Sequence, residues 1–291
     1  MSEAQSIQWF PGHMTRSRRQ IEKYLKQVDA VAEIADARIP ISSRNPDLDR
    51  MIQRKPRIIL LNKSDVADPS ATKEWISNYQ KQNILAIAVD CKSGKGLRAF
   101  QPSIHQVLTR QIETWKQKGM VGRTIRVMVI GVPNVGKSSL INRLSHGNHA
   151  AVENRPGVTR TNQWFPIGKG LDLLDTPGVL WPKFENKIVG EHLAFTGAVK
   201  DDVLDTENLA VRLLELLCRL YPDALQARYR LEKLDFSGLD GWKILEAIGQ
   251  KRGMLISGGE IDTERASIML LDEFRAGKIG KITLERVGDT I

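Results

Sequence analysis

At 291 residues, with 41% apolar and 26% charged side chains, the chain has the composition of a soluble globular protein with room for two ordinary domains. No apolar run approaches the roughly 20 residues that span a bilayer, and Cys91 and Cys218 lack CxxC or CxxH spacing, which argues against a disulfide framework or structural zinc and fits a reducing cytoplasm. The formal charge of +9 is uneven: residues 1–194 carry 29 basic against 17 acidic side chains and residues 195–291 carry 14 against 17, so the surplus suited to RNA or an acidic membrane face lies in the first two thirds.

Along the chain, "MSEAQSIQWFPGHM" shows no h-region and no small-residue cleavage site, so no signal peptide is expected. "HMTRSRRQIEKYLKQV" predicts an amphipathic helix with Ile21, Tyr24, Leu25 and Val28 on one stripe. "DAVAEIADAR" and "RIILLNKSD" read as buried strands, with a short helix "NPDLDRMIQRK" between them. "DPSATKEWISNYQKQ" is helical, capped by Asp68 or Ser70. "ILAIAVD" is a third strand, "LRAFQPSIHQVLTRQIETWKQK" is mostly helix, and "KGMVGRT" is a linker. "IRVMVIG", "NQWFPIG" and "LDLLDTPG" add strands, with the helix "GKSSLINRLSH" after the first of them. From about Glu191 the pattern is helical, including "TENLAVRLLELLCRLYP" and "DTERASIMLLDEFRAG", the latter with Asp262 or Thr263 as N-cap and Gly277 as its stop. Strands alternating with helices over residues 28–178 imply an α/β fold with a mostly parallel, doubly wound sheet, whose ligands bind at the carboxyl ends of the strands. The expected division is 1–190 for this unit and 191–291 for a small all-α unit.

Residues 131–138, GVPNVGKS, match GxxxxGK(S/T) between a strand and a helix. Glycines let backbone N–H groups turn inward around phosphates; Lys137 would bridge the β- and γ-phosphates and Ser138 would ligate Mg²⁺. Asp175 ends an apolar strand where a carboxylate reaches Mg²⁺, usually through water, and the Gly178 N–H would face the γ-phosphate. Asn62-Lys63-Ser64-Asp65 supplies base selectivity. The Asp65 carboxylate can accept from guanine N1–H and N2–H₂, which adenine lacks, Lys63 can lay its stem over the ring, and Asn62 can tie neighbouring loops together. "DCKSGKG", Asp90 to Gly96, looks like the SAKxGxG element, with Asp90 and Cys91 standing where Ser and Ala are usual.

The base-reading loops thus precede the phosphate loop, the reverse of the common order. "WFPGHM", "DARIPISSRNP", "NKSD", "GVPNVGKSSLIN", "RPGVTR" and "DTPG" resemble, in order and over most of the chain, the blocks of the ribosome biogenesis GTPase A (YlqF) family, a circularly permuted P-loop GTPase of the translation-factor-related class. The resemblance implies GTP/GDP as ligand with Mg²⁺, and the candidate contacts Asn62, Lys63, Ser64, Asp65, Asp90, Cys91, Lys92, Asn134, Val135, Gly136, Lys137, Ser138, Ser139, Thr159 and Gly178, with Ser138, Thr159 and Asp175 on the metal. Lys137, Thr159, Gly178 and His13 are the implied catalytic set. Thr159 in "RPGVTRT" is the switch threonine, with Thr161 as the alternative, and Val179 stands where many GTPases carry a water-positioning Gln. His13 in "FPGHM" is nominated for that task; its other reading is a capping or packing histidine, and His105, His146, His149 and His192 read as structural or surface. Asn134 resembles the residue that coordinates K⁺ in potassium-stimulated relatives. The implied partner is a large ribosomal subunit precursor and its rRNA, in the cytoplasm, with no DNA and no integral membrane association. A nucleotide-gated module on a membrane or another RNA is the alternative.

Overall fold

The computed structural model describes residues 19, 21–52, 55–145, 163–168, 170–178, 186–199, 204–231, 234–236, 238 and 240–289. His13, Thr159, Thr161, Val179, His146 and His149 lie outside the described residues. Strands β1 Ala30–Asp36, β2 Arg57–Asn62, β3 Leu85–Ala88, β4 Ile125–Ile130, β5 Gln163–Pro166 and β6 Leu171–Asp175 form one sheet in the order β3-β2-β1-β4-β6-β5. All neighbours are parallel except β5, which returns antiparallel to β6. The four residues between β5 and β6 permit only a hairpin, since a parallel return needs a crossover of about a dozen residues or more.

The helices are α1 Pro46–Ile52, α2 Pro69–Lys81, α3 Phe100–Val107, α4 Thr109–Gln117, α5 Lys137–Leu144, α6 Lys187–Phe195, α7 Thr206–Leu220, α8 Pro222–Tyr229, α9 Gly241–Lys251 and α10 Thr263–Arg275. A 3-10 turn, Leu97–Ala99, precedes α3, and the expected single helix after it is broken at Leu108 into α3 and α4. Asp68 is the cap of α2: its carboxylate accepts from the backbone N–H groups of Ser70 and Ala71, and Pro69 at the first position has no N–H to leave unsatisfied. Asp262 caps α10, accepting from Arg265 N.

Every residue of β1 is buried, as a central parallel strand requires. Its side chains alternate between two packing layers. Ala30, Ala32 and Ile34 meet Ile58, Leu60, Phe100, Ile104 and Leu140 on one face. Ala35 faces Ile59, Leu61, Trp75 and Tyr79 of α2 on the other, and Val31 packs there with Met128, Ile130 and the stripe Ile21, Leu25 and Val28. Residues 21–25 are helical and cover that end of the sheet.

The first of these cores runs without interruption into α6, α7, α9 and α10 through Leu193, Leu213, Leu217, Ile248, Leu270 and Phe274. Helix α6 starts at Lys187, is capped by Asn186, and crosses position 190. The segment after α10 then travels back over the sheet edge. Ile282 N donates to Val66 O at 3.0 Å, Leu284 N to Arg38 O at 2.7 Å, and Trp75 Nε1 to Glu285 O at 3.0 Å.

Candidate functional site

Five parallel strands place their carboxyl ends on one edge, and the sequence motifs follow those ends. In register, Asn62 at the end of β2 sits beside Asp36 of β1, and Asp175 of β6 sits beside Val129 of β4.

The phosphate loop joins β4 to α5. Lys137 is the first residue of the helix and only 6% exposed, and its ammonium donates to the carbonyls of Gly131 (3.2 Å) and Val132 (2.9 Å). Burial pushes this ammonium down to about 8, against the opposing pull of the Asp175 carboxylate. Asp175 itself is 2% exposed. The next residue, Thr176, donates its hydroxyl to Val129 O at 2.6 Å, which fixes the DTPG turn to β4. At Gly178 a Cβ would come within 2.8 Å of Pro133 Cα and 3.0 Å of Lys137 Nζ, so the turn lies directly against the phosphate loop and only glycine fits.

The base-side loops meet the phosphate loop through one side chain. Asn62 Nδ2 donates to Val135 O at 2.7 Å, and Asn62 Oδ1 accepts from Cys91 N at 2.9 Å. Gly136 makes this approach possible: its φ is 105°, and a Cβ there would stand 2.3 Å from Asn62 Nδ2. Ser64 donates from both its backbone N–H and its hydroxyl to Val89 O, at 3.2 and 2.9 Å, while Asp65 is exposed at the rim. The two departures from the SAK pattern are accommodated. Asp90 Oδ1 accepts from Lys92 N at 2.8 Å and closes the loop; burial raises its carboxyl, but hydrogen bonds from Ser93 and Lys92 outweigh that and hold it low. Cys91 is 2% exposed, and burial raises its thiol far above the ordinary range, so it is an inert small side chain.

Two residues without an assigned role in the sequence reading belong to the same edge. Asp36 accepts from Arg38 at Nε (2.9 Å) and at the second guanidinium nitrogen (2.8 Å), and pairs with Lys63 Nζ at 3.0 Å. Burial pushes the Asp36 carboxyl up, but the charges of Arg38 and Lys63 outweigh it and hold it well below the usual carboxylate range. The signal in the sequence was the charged pair in "DAR" at the end of a mostly apolar strand, where ions are costly unless paired. Asn134 Nδ2 donates to Gly197 O at 2.7 Å, linking the phosphate loop to the end of α6. His192 is 4% exposed, with Nδ1 2.8 Å from Glu285 Oε1 and 3.3 Å from Ser42 Oγ, which makes it structural.

Among the described residues no group of three or more His, Cys, Asp and Glu converges on a metal position, and no helix is long and apolar enough to cross a membrane. Residues 126–221 match a family model described as "50S ribosome-binding GTPase". A ribosome biogenesis GTPase A from Priestia megaterium is 46% identical over 281 residues, covering 96% of each chain. One from Bacillus cereus is 44% identical over 279 residues, covering 96% of this chain and 93% of its own. Two solved structures, a GDP-bound TM YlqF and a GNP-bound YlqF from Thermotoga maritima, align with TM-scores of 0.67 and 0.67 at 29% identity, covering 93% and 94% of this chain and 100% of theirs. With curated relatives matching at this identity along nearly the whole chain, the chain belongs to the ribosome biogenesis GTPase A family.

Proposed function

We propose that this GTP hydrolase holds its nucleotide across the sheet edge, base toward Lys63, Asp65 and the Asp90–Lys92 turn, phosphates in the loop from Asn134 to Ser139. The Asn62 bridge carries this reading. One side chain hydrogen-bonds both Val135 of the phosphate loop and Cys91 of the base-side loop, so the two halves of a nucleotide site are held at fixed separation. Mg²⁺ fits the donors available. It binds through one or two protein oxygens plus substrate phosphates rather than in a dedicated cage, and Asp175 with Ser138 can supply those oxygens. Bound there, the ion would neutralise charge on the phosphates. Lys137 adds a positive charge at the β- and γ-phosphates, and the Gly178 N–H, brought against Lys137 by the DTPG turn, is placed to respond to the γ-phosphate. Thr159 as switch ligand, His13 as the group orienting water, and K⁺ beside Asn134 complete the proposal.

The reading extends to late assembly of the large ribosomal subunit, with hydrolysis stimulated by the subunit and timing release, in the cytoplasm. Curated relatives carrying the name ribosome biogenesis GTPase A support it. The helical part, residues 191–291, is the proposed rRNA-contacting unit. Its acidic balance confines such contact to local faces, such as the exposed Arg230, Lys251 and Arg252. Tyr229 is 2% exposed with its hydroxyl on Glu273 Oε2 at 2.9 Å, so it serves the core instead of stacking on bases. The test is GTP turnover in KCl and in NaCl, with and without isolated large and small subunits. Stimulation by the large subunit alone, lost in NaCl, is expected. Equal rates with both subunits remove the assembly role, and equal rates in both salts remove K⁺.

Two further results are expected. Asp65→Asn exchanges a double acceptor for a side chain with one acceptor and one donor, so preference moves from guanine toward xanthine nucleotides, as competition binding with GDP and XDP reads out. Retained guanine preference would count against the base-reading assignment. Nucleotide binding also takes up protons. The phosphate charge raises an ammonium that burial holds at about 8, so the complex is protonated where the free protein is partly neutral. Net proton uptake by Lys137 on nucleotide binding is therefore expected near about pH 8.5. Calorimetry in buffers of differing ionisation enthalpy measures it, and proton release at that pH contradicts it.

A further inference from the structure

Lys63, the second residue of the base-reading loop, has φ 60°, a left-handed conformation that a lysine does not adopt without support. Its support is Asp36, with Lys63 Nζ 3.0 Å from Oδ2. Asp36 is in turn held in the Arg38 fork, and Arg38 is 1% exposed. The remaining guanidinium nitrogen of Arg38 donates to Phe274 O (3.3 Å) and Arg275 O (3.4 Å), two carbonyls at the C-terminus of α10, and the guanidinium lies 5.3 Å from the centre of the Phe274 ring. A buried cation on the last carbonyls of a helix complements its dipole. One arginine thus joins the end of α10 to the carboxylate that fixes Lys63.

The far side of the same loop is held by the segment after α10 and by Tyr221, the residue that ends α7. Val66 O accepts from Ile282 N at 3.0 Å. Asp68 Oδ2 accepts from the Arg286 guanidinium at 2.9 Å and from Tyr221 OH at 3.0 Å. Residues 63–68 therefore have the helical part attached at both ends.

We propose that Asp36 and Arg38, with Arg286, are positioning residues that make the grip of the base-reading loop depend on how α10 and its following segment are docked, so that an event displacing the helical part shortens the residence time of bound guanine nucleotide. This rests on the reading of residues 62–65 as the base-reading loop. At equilibrium the linkage is reciprocal: whatever factor docking adds to nucleotide affinity, bound nucleotide adds to docking of the helices. The route differs from any signal through the γ-phosphate, because it acts equally on GDP and GTP.

The test measures dissociation of a fluorescent methylanthraniloyl-GDP from the full chain, with single-turnover hydrolysis at saturating GTP alongside. Arg38→Lys keeps a cation beside Asp36 but cannot donate to Asp36 and to both helix carbonyls at once. Dissociation is expected to accelerate about tenfold, with hydrolysis of the bound nucleotide changed less than about twofold. In the double variant with Lys63→Met the two accelerations must fail to multiply, since Arg38 acts through Lys63. A merely structural arginine would give independent effects. Arg286→Gln alters a side chain that is 36% exposed and should accelerate dissociation about threefold, so the proposal stays testable where Arg38→Lys does not fold. Unchanged dissociation in folded Arg38→Lys or in Arg286→Gln overturns it, as do multiplicative effects with Lys63→Met. If Asp65→Asn shifts base preference while these variants release GDP normally, the base-reading assignment stands and the linkage alone falls.

Discussion

Replacing Asn62 by alanine lowers guanine-nucleotide affinity by about 30-fold or more. The substitution removes two short hydrogen bonds, to Val135 O and from Cys91 N, and both backbone groups lie in buried residues. Each buried group left unsatisfied costs roughly 1–3 kcal/mol, so the two together amount to about 2–6 kcal/mol, enough for factors of about 30 to 10⁴. The loss falls on binding because the bonds span loops that a nucleotide needs at one separation, while the strands beneath are joined by their own ladders. Isothermal titration with GDP reads the affinity and thermal unfolding reads the fold. Affinity within threefold of the parent would mean that the bridge does not organise the site.

Replacing Glu285 by alanine destabilises the whole chain rather than the site. Its side chain is fully buried and accepts from Ile41 N, from Ser42 N at 3.1 and 3.2 Å, and pairs with His192 Nδ1 at 2.8 Å. It connects the loop after β1, helix α6 and the segment after α10 at one point. Removing one partner of a buried polar cluster costs about 3–5 kcal/mol, a fall in Tm on the order of 10 °C. Glu285→Gln retains an acceptor and should lose clearly less. A Tm drop below about 2 °C for the alanine variant would show the cluster to be dispensable.

The strand and helix order was legible because the parallel strands are mostly apolar runs with punctuation after them: "RIILL" before Asn62 and "LDLL" before Asp175. The caps were legible to within the two candidates named, and Asp68 and Asp262 take the role through their carboxylates. The direction of β5 was not, because "NQWFPIG" carries no orientation; the length of its connection to β6 decides it. Asn62 as a tie between loops was expected from its place in the tetrapeptide, and the structure shows which backbone atoms it ties. Of the Asp36–Arg38–Lys63 network only a charged pair at a strand end was legible, since its meaning depends on Phe274 and Arg275, more than 230 positions away. His192 was read as structural or surface, and its burial against Glu285 makes it structural.

That long return has a consequence for how the molecule is made. Val66, Arg38 and Trp75 are synthesised more than 200 residues before their partners Ile282, Leu284 and Glu285. Closing loops of this length is entropically slow, and native contacts so distant in sequence cannot reward partial folding. The rim of the sheet therefore stays uncovered until residues 282–285 have been made.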